Sequence, residues 1–287
     1  MKKFFLVILL VLVSVIVLIF GASLIGNWLF NKKVEEEIEA FWVDTNAYLR
    51  NSEVVTEADL ANLPAIVQKW MEHSRVTGKE RIETVYLHQK ASLRLGNDKP
   101  WLPAEADQYF KISEPGFIWK ATIMMNPLLK VVGRDMYHQG KGHMLIKALS
   151  LIPVANARGE EIDQGTMLRF MGEMSWFPVA ALSDYLKWEE IDSNSARATM
   201  NYGGVTASGI FRFSDEGRIL SFTAKRYMEN QGRYSLEDWV VEAKDYKEFG
   251  GIEIPHKVDV TWQLEAGDYH WFSCEVTDIE YNHVGLR

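Results

Sequence analysis

The chain is poor in cysteine and in basic side chains. Its 287 residues contain one cysteine, Cys274, so neither an intramolecular disulfide nor a cysteine-based zinc site can form. The formal net charge is −8. The first 33 residues hold four lysines and no acid, so the remainder carries 27 basic against 39 acidic residues. That balance lacks the basic stripe that nucleic-acid binding requires, and we predict no nucleic-acid partner.

Motifs for the common chemistries are also missing. The sequence has no H-E-x-x-H, no G-x-S-x-G and no phosphate-binding G-x-x-x-x-G-K-[ST], so it predicts no catalytic residue, cofactor or metal ion. One metal alternative stays open. His138 and His143 flank the turn sequence QGKG, and Asp135 is nearby, although strand alternation would point these side chains apart.

A long apolar run opens the chain. Residues 4–30 contain no charge, and as a helix they reach about 40 Å, more than the ~30 Å hydrocarbon core of a bilayer. Trp28 stands where an interfacial aromatic residue belongs. A cleaved signal peptide is the alternative, but its apolar region normally spans only ~7–15 residues. We therefore predict a single-pass anchor over residues 1–33 in the cell membrane, with the following domain outside the cytoplasm.

Residues 34–80 predict a helical stalk or connector. Ile38, Phe41, Trp42 and Tyr48 recur on one side of a helix. A second helix begins near Pro64 and carries an apolar face of Ile66, Val67, Trp70 and Met71.

From residue 81 the period of the pattern changes to two. In 205–213, 257–264 and 271–277, apolar side chains alternate with polar ones, and glycine-rich turns separate the runs. Residues 159–174 instead carry apolar residues at three- and four-residue steps behind Glu160 and Glu161. We predict a mainly β (α+β) fold, in which a strongly curved antiparallel half-barrel of about ten strands, residues 81–287, wraps around one central plug helix, 159–174.

Several separated motifs carry a resemblance. The segments WLPAEADQ, GRDMY and EMSWFP, with LPAIVQKWMEHS and GGIEIPHKVDVTW, resemble a bacterial family of membrane-anchored proteins of unknown function. The resemblance covers roughly residues 60–282 and implies no activity. More distantly, GFIWKA before the GRDMY hairpin is similar to the periplasmic lipoprotein-carrier fold, which implies a helix inside a curved sheet and binding of lipid or lipoprotein acyl chains.

The candidate ligand-binding residues lie on or near the plug helix. Arg169 and Glu173 form an i,i+4 pair that either anchors a ligand head group or fixes the helix in the sheet. Adaptable methionines suit acyl chains, and an aromatic corner either opens a pocket or closes the core. The full predicted set is Trp119, Met124, Met167, Arg169, Met171, Glu173, Trp176 and Phe177.

Three functions are compatible with these features. The first is a membrane-tethered, non-enzymatic binding domain for a hydrophobic ligand, such as lipid or lipoprotein acyl chains at the cell envelope. The second is a hydrolase-type enzyme that acts on an envelope component and is centred on Glu173, Arg169 and His138. The enzyme hypothesis predicts that titratable groups with shifted pKa values converge in one site, whereas the carrier hypothesis predicts an apolar cavity. The third is a protein-interaction scaffold without a ligand.

Overall fold

The computed structural model describes residues 2–43, 53–126 and 129–287. The predicted position of Tyr48 on the first helix lies outside the described residues. The helices are α1 (Lys2–Phe41), α2 (Glu57–Leu60), α3 (Ala65–His73) and α4 (Glu160–Glu173). The strands are β1 (Thr84–Leu93), β2 (Leu102–Lys111), β3 (Gly116–Asn126), β4 (Leu129–His138), β5 (Lys141–Ala148), β6 (Ile152–Ala157), β7 (Leu186–Asp192), β8 (Ser195–Tyr202), β9 (Val205–Phe213), β10 (Ile219–Asn230), β11 (Arg233–Ala243), β12 (Tyr246–Phe249), β13 (Ile252–Pro255), β14 (Lys257–Leu264) and β15 (Gly267–Tyr281).

One antiparallel sheet of thirteen strands forms the body of the molecule. Its order is β6-β5-β4-β3-β2-β1-β15-β14-β11-β10-β9-β8-β7, and β12 and β13 form a separate two-stranded sheet. Most neighbours are joined by tight turns, whereas β15 returns to pair with β1 and β11 pairs with β14. The predicted curved antiparallel fold is confirmed, with more strands than the ten expected.

The plug helix α4 lies on the concave face of this sheet. It begins after Gly159, whose φ of 122° favours glycine, and three acids occupy its first turn. Glycine also lets the helix approach closely. A side chain at Gly142 of β5 would meet the Ile162 carbonyl oxygen at 2.6 Å. The predicted central helix is therefore confirmed at Glu160–Glu173.

Helix α1 has two parts that meet different surroundings. Its N-terminal part is apolar, fully exposed, and long and apolar enough to cross a membrane. Its C-terminal part carries a buried stripe at three- and four-residue steps, and this stripe packs on the convex face of β1–β5 against Tyr86, Tyr109, Ile118, Val132 and Leu145. The predicted boundary at residue 33 falls inside this single helix. The stripe consists of Gly26, Phe30, Val34, Ile38 and Phe41.

Ion pairs reinforce the contact between α1 and the sheet. The Arg134 guanidinium is 1% exposed and its Nε lies 2.9 Å from Glu37 of α1, while Lys120 Nζ lies 3.8 Å from Glu35. Glu35 and Glu37, two of the acids that follow the apolar run, are thus partners of the sheet. Helix α3 closes another side, where its Trp70 stacks on Phe211.

Candidate functional site

The concave face of β1–β5 is organised in rows across the sheet. Strand pairing places Gln108, Trp119 and Asp135 side by side, because Gln108 pairs with Trp119 and Trp119 with Asp135. The next row towards the β1–β2, β3–β4 and β5–β6 turns contains Gln89, Ala106, Ala121, Gly133 and Ile146. The row beyond that contains Ala91, Ala104, Ile123, Val131 and Ala148. The face therefore changes from polar to apolar along the strands.

A chain of hydrogen bonds links the polar row to the plug helix. Trp119 Nε1 donates to Gln89 Oε1 at 3.0 Å, and Gln89 Nε2 donates to Gln108 Oε1 at 3.2 Å. Gln108 Nε2 then donates to Glu173 Oε2 at 2.9 Å. Gln89 and Gln108 are almost completely buried, so each amide needs such partners inside the protein.

The chain ends in a network of charges on α4 and β4. Arg169 Nε donates to Glu173 Oε1 at 2.8 Å, and its Nη1 donates to Asp135 Oδ2 at 2.9 Å. The same guanidinium lies over the rings of Phe117 and Trp119, 4.8 and 5.0 Å from their centroids. The predicted pair Arg169–Glu173 therefore exists and includes a third member, Asp135, which comes from the sheet.

Burial controls the electrostatics of this network. Loss of solvent raises the pKa of Glu173, although Arg169 and Gln108 oppose the effect. Burial alone would lower the pKa of Arg169, but Glu173 and Asp135 outweigh it and raise the pKa. Arg169 consequently stays charged. The side chains of Asp135, Arg169 and Glu173 keep 22, 14 and 13% of their exposure, so the network is not sealed from solvent.

A second arginine, Arg226 of β10, faces the same interior from the opposite side of the plug helix. Its guanidinium carbon lies 4.7 Å from the Trp239 ring centroid and 5.7 Å from that of Trp262. Its Nε lies against Gly165 of α4 and has no hydrogen-bond partner among the described residues. Burial, followed by the charge of Arg169, lowers its pKa to about 10, so it is a cation at neutral pH.

The rows beyond the network are apolar and only partly covered. Alanines and Gly133 occupy their centre, where Ala104, Ala106 and Ala121 are buried and the Trp119 ring lies over Gly133. Ala91, Val131, Ile146 and Ala148 are half-buried, as are Met125 and Phe272 at their ends. An open depression of about 380 Å³ on β1, β14 and β15 is different, because charged residues such as Lys90, Lys244 and Asp259 line it.

The predicted methionine and aromatic residues have separate positions. Met167, Met171 and Phe177 are 0% exposed and Trp176 is 3% exposed, so they pack in the core. Trp176 Nε1 donates to the Pro255 carbonyl at 3.0 Å and fixes the corner after α4 to β13. Met124 lies on β3, where alternation assigns it to the convex face and Met125 to the concave one. Only Trp119, Arg169 and Glu173 of the predicted set meet in one network.

The histidines lie on the other side of the sheet from Asp135. Pairing of His143 with Met136 places it, like His138, on the convex face. His143 is 6% exposed, contacts Arg134 and Arg158, and has its pKa lowered by burial. Within residues 2–43, 53–126 and 129–287, no group of three or more His, Cys, Asp or Glu side chains could hold a metal ion.

Sequence reasoning missed Gln89, Gln108 and Arg226. The alternation in Thr84–Leu93 places Gln89 on the same face as Leu87 and Ala91, a polar side chain among apolar neighbours. The same signal is present for Gln108 between Ala106 and Phe110, and for Arg226 after Phe222 and Ala224. A polar residue at an inward position was therefore the available clue.

Comparison with protein families gives one match. Residues 53–274 match the model of DUF6544, described as a family of unknown function. No curated protein sequence is significantly similar to this chain.

Solved structures of related shape have low similarity. A LolA superfamily protein from Nitrosomonas europaea is 11% identical, with a TM-score of 0.43 over 76% of this chain and 93% of its own. A DUF1329 family protein from Desulfovibrio piger is also 11% identical, with a TM-score of 0.39 over 77% and 92%. A β-barrel-like DUF1849 protein from Brucella abortus is 7% identical, with a TM-score of 0.26 over 71% and 99%.

Proposed function

The chain belongs to the DUF6544 family, and we propose that it is a membrane-tethered domain that binds a hydrophobic ligand, such as acyl chains, on its concave face. One observation carries the proposal. A half-buried apolar surface, formed by Ala91, Val131, Ile146 and Ala148, lies beside a partly buried charged network, and an amphipathic molecule requires such a pair of surfaces.

Tethering supports the same function. The exposed apolar part of α1 is followed within one helix by the part that packs on β1–β5. The domain would therefore stay at the bilayer that supplies the ligand. We place it at the cell membrane with the β domain outside the cytoplasm, because short N-terminal tails usually remain inside.

In this proposal the predicted site residues divide by role. Trp119, Arg169 and Glu173 form the polar floor of the ligand site. Met167, Met171, Trp176 and Phe177 hold the plug helix against the sheet, and their burial leaves no direct contact with ligand in the described conformation. Met125, which shares the face of Ile123, takes the place of the predicted Met124.

Native mass spectrometry of the full chain, purified from bacterial membranes in mild detergent, tests the proposal. We expect co-purifying lipid, and we expect Ala91→Trp to remove it because the indole fills the apolar row. Ser92→Trp, on the convex face of the same strand, is the matched control and should keep the lipid. A lipid-free wild-type protein that takes up no lipid on incubation would contradict the proposal.

An enzyme is the second candidate, and the raised pKa of Glu173 favours it. Both Glu173 oxygens already accept hydrogen bonds, from Arg169 and Gln108, and His138 lies on the other face. Glu173→Gln distinguishes the two functions. Loss of a hydrolytic activity towards envelope lipid, with lipid uptake retained, would establish the enzyme, whereas uptake without any turnover supports the binding domain.

A further inference from the structure

Arg226 is a charge without a carboxylate partner. Within the described residues, no Asp or Glu oxygen lies within 4 Å of its guanidinium. The other interior arginine, Arg169, differs because it contacts both Asp135 and Glu173. Asp135 and Glu173 act on Arg226 only from a longer distance, and Glu237, its cross-strand partner on β11, forms no ion pair with it within 4 Å. A bound anion would supply the close contact that this interior charge lacks.

The residues around Arg226 orient its guanidinium plane but do not form an ion pair with it. Trp239 and Trp262 hold the guanidinium by cation–π contact. Gly165 of the plug helix has no side chain, and a Cβ atom at this position would lie 3.2 Å from Arg226 Nε. Its neighbour Lys225 instead points outwards and pairs with Asp238 at 3.0 Å. The two adjacent cations thus differ in having, or lacking, an acidic partner.

We propose that Arg226 binds the oxyanion of the ligand's head group, a carboxylate or a phosphate, while the chains lie along the apolar rows. This inference rests on the proposed function and names its ligand as an anionic lipid. A guanidinium presents parallel N–H donors that match carboxylate and phosphate oxygens, which explains an arginine at this position.

Lipid titration of the full chain in detergent tests the inference, with phosphatidylglycerol as the anionic probe and phosphatidylcholine as the neutral one. We expect the wild-type chain to bind phosphatidylglycerol about tenfold to a hundredfold more tightly than phosphatidylcholine. Arg226→Gln should abolish this preference, because a charged hydrogen bond contributes a free energy of that size. Lys225→Gln is the matched control and should retain the preference. Arg226→Lys, which keeps the charge, should retain part of the preference.

The outcomes separate the two proposals. Equal binding of both lipids, unchanged in Arg226→Gln, overturns the head-group role and leaves the apolar site standing. No binding of either lipid overturns both proposals. Inorganic phosphate is the third probe. If it competes with phosphatidylglycerol, the site accepts a free anion, and if it does not, the site requires the lipid's chains.

A different observation concerns the β5–β6 turn, which contacts α1. Ser23 Oγ donates to the Leu149 carbonyl at 2.9 Å. A side chain at Gly26 would meet Leu151 at 2.6 Å, so glycine allows the turn to lie directly on the helix. Leu149 and Ser150 hold positive φ angles of 52° and 60°, which make the turn tight.

Apolar side chains next to this contact are exposed. Leu151, Ile152 and Val154 keep 39, 59 and 60% of their exposure, and Ile25 and Trp28 on α1 keep 63 and 61%. These side chains meet at one edge of the sheet, where Ile152 pairs with Ala148 and so continues the apolar row of the concave face, while Ile25 and Trp28 belong to α1. Exposed apolar side chains collected at one edge of the sheet indicate an interaction surface.

The position of the patch along α1 identifies its partner. The contact residues Ser23 and Gly26 precede Lys32 and Lys33, the first charges after the apolar run. When α1 spans a bilayer, residues 23–28 therefore lie at its interface, where Trp28 is favourable. We propose that the β5–β6 hairpin dips into the bilayer interface beside α1 and turns the apolar rows of the concave face towards the lipid.

Fluorescent labelling of the full chain in lipid nanodiscs tests this contact. Ile152→Cys, labelled with an environment-sensitive dye, should show blue-shifted emission and quenching by lipids that carry a spin label near the head group. Ile191→Cys on β7 is the control, because Ile191 is also exposed, at 45%, but its strand lies at the other edge of the sheet. Unlabelled wild-type protein corrects for Cys274. Equal quenching at both positions, or none at position 152, would overturn the proposal.

Discussion

At the scale of single residues, Glu173 couples folding to pH. Burial raises its pKa in the folded protein above the usual value near 4.5. Protonated Glu173 therefore contributes to the free energy of unfolding at pH values below 4.5. This contribution is lost as the pH rises through the raised pKa of the folded state. We expect Glu173→Gln to flatten this loss in urea unfolding measured between pH 4.5 and pH 8. Glu189→Gln, an exposed carboxylate, should leave the pH dependence unchanged, and an unchanged slope in Glu173→Gln would refute the assignment.

The lone cysteine allows a second prediction at this scale. Cys274 is 5% exposed and burial raises the pKa of its thiol, so little reactive thiolate forms. We expect it to react with a disulfide reagent at pH 8 only after denaturation in guanidinium chloride. Thr206→Cys, at an exposed position of β9, provides the accessible control and should react in the folded protein. Rapid reaction of Cys274 in the native state would show that this part of the interior opens.

The sequence contained part of the site at this scale. Arg169 and Glu173 are four residues apart on a predicted helix, so their contact follows from helix geometry alone. Asp135 and Gln108 come from strands 34 and 65 residues away from their partners. No local pattern specifies such contacts, because they depend on which strands the plug helix crosses.

At the scale of elements, α1 stabilises the domain that it precedes. Ile38 is 1% exposed and packs on the convex face of the sheet. We expect Ile38→Ala to reduce the free energy of unfolding by about 2–5 kcal/mol, as for other buried aliphatic truncations. Glu39→Ala, at an exposed position of the same turn, should change it by less than about 0.5 kcal/mol. Urea unfolding in detergent, followed by tryptophan fluorescence, provides the measurement, and equal effects would contradict the docking of α1.

Element prediction succeeded where one face of an element is buried. Period-two alternation identified β9, β14 and β15, and the three- and four-residue steps identified α4 within one residue at each end. The change from apolar residues to the acids at 35–37 suggested a boundary between anchor and stalk. One helix nevertheless continues through the apolar and the acidic segment. The stripe from Gly26 to Phe41 crosses that boundary at three- and four-residue steps, and it was readable from the sequence.

At the scale of the whole molecule, the pairing of β1 with β15 joins the two halves of the sheet. The two strands are separated by more than 170 residues, and their pairing brings Gln89 beside Val276 and Ala91 beside Cys274. Alternation predicts which residues share a face but not which strands are neighbours, so the strand order was beyond sequence reasoning. The proposed ligand surface depends on that order, since its rows cross β1–β5.

The two parts of α1 lead to the last prediction. A chain shortened to begin at Gly26 loses most of the exposed apolar segment but keeps the buried stripe that covers the convex face. A chain shortened to begin at Asp44 also loses the stripe and uncovers Tyr109, Ile118 and Val132. We expect the first chain to remain folded in detergent-free buffer and the second to aggregate, because it exposes a contiguous apolar patch. Size-exclusion chromatography and thermal unfolding compare them, and a stable, monodisperse second chain would show that α1 is only a tether.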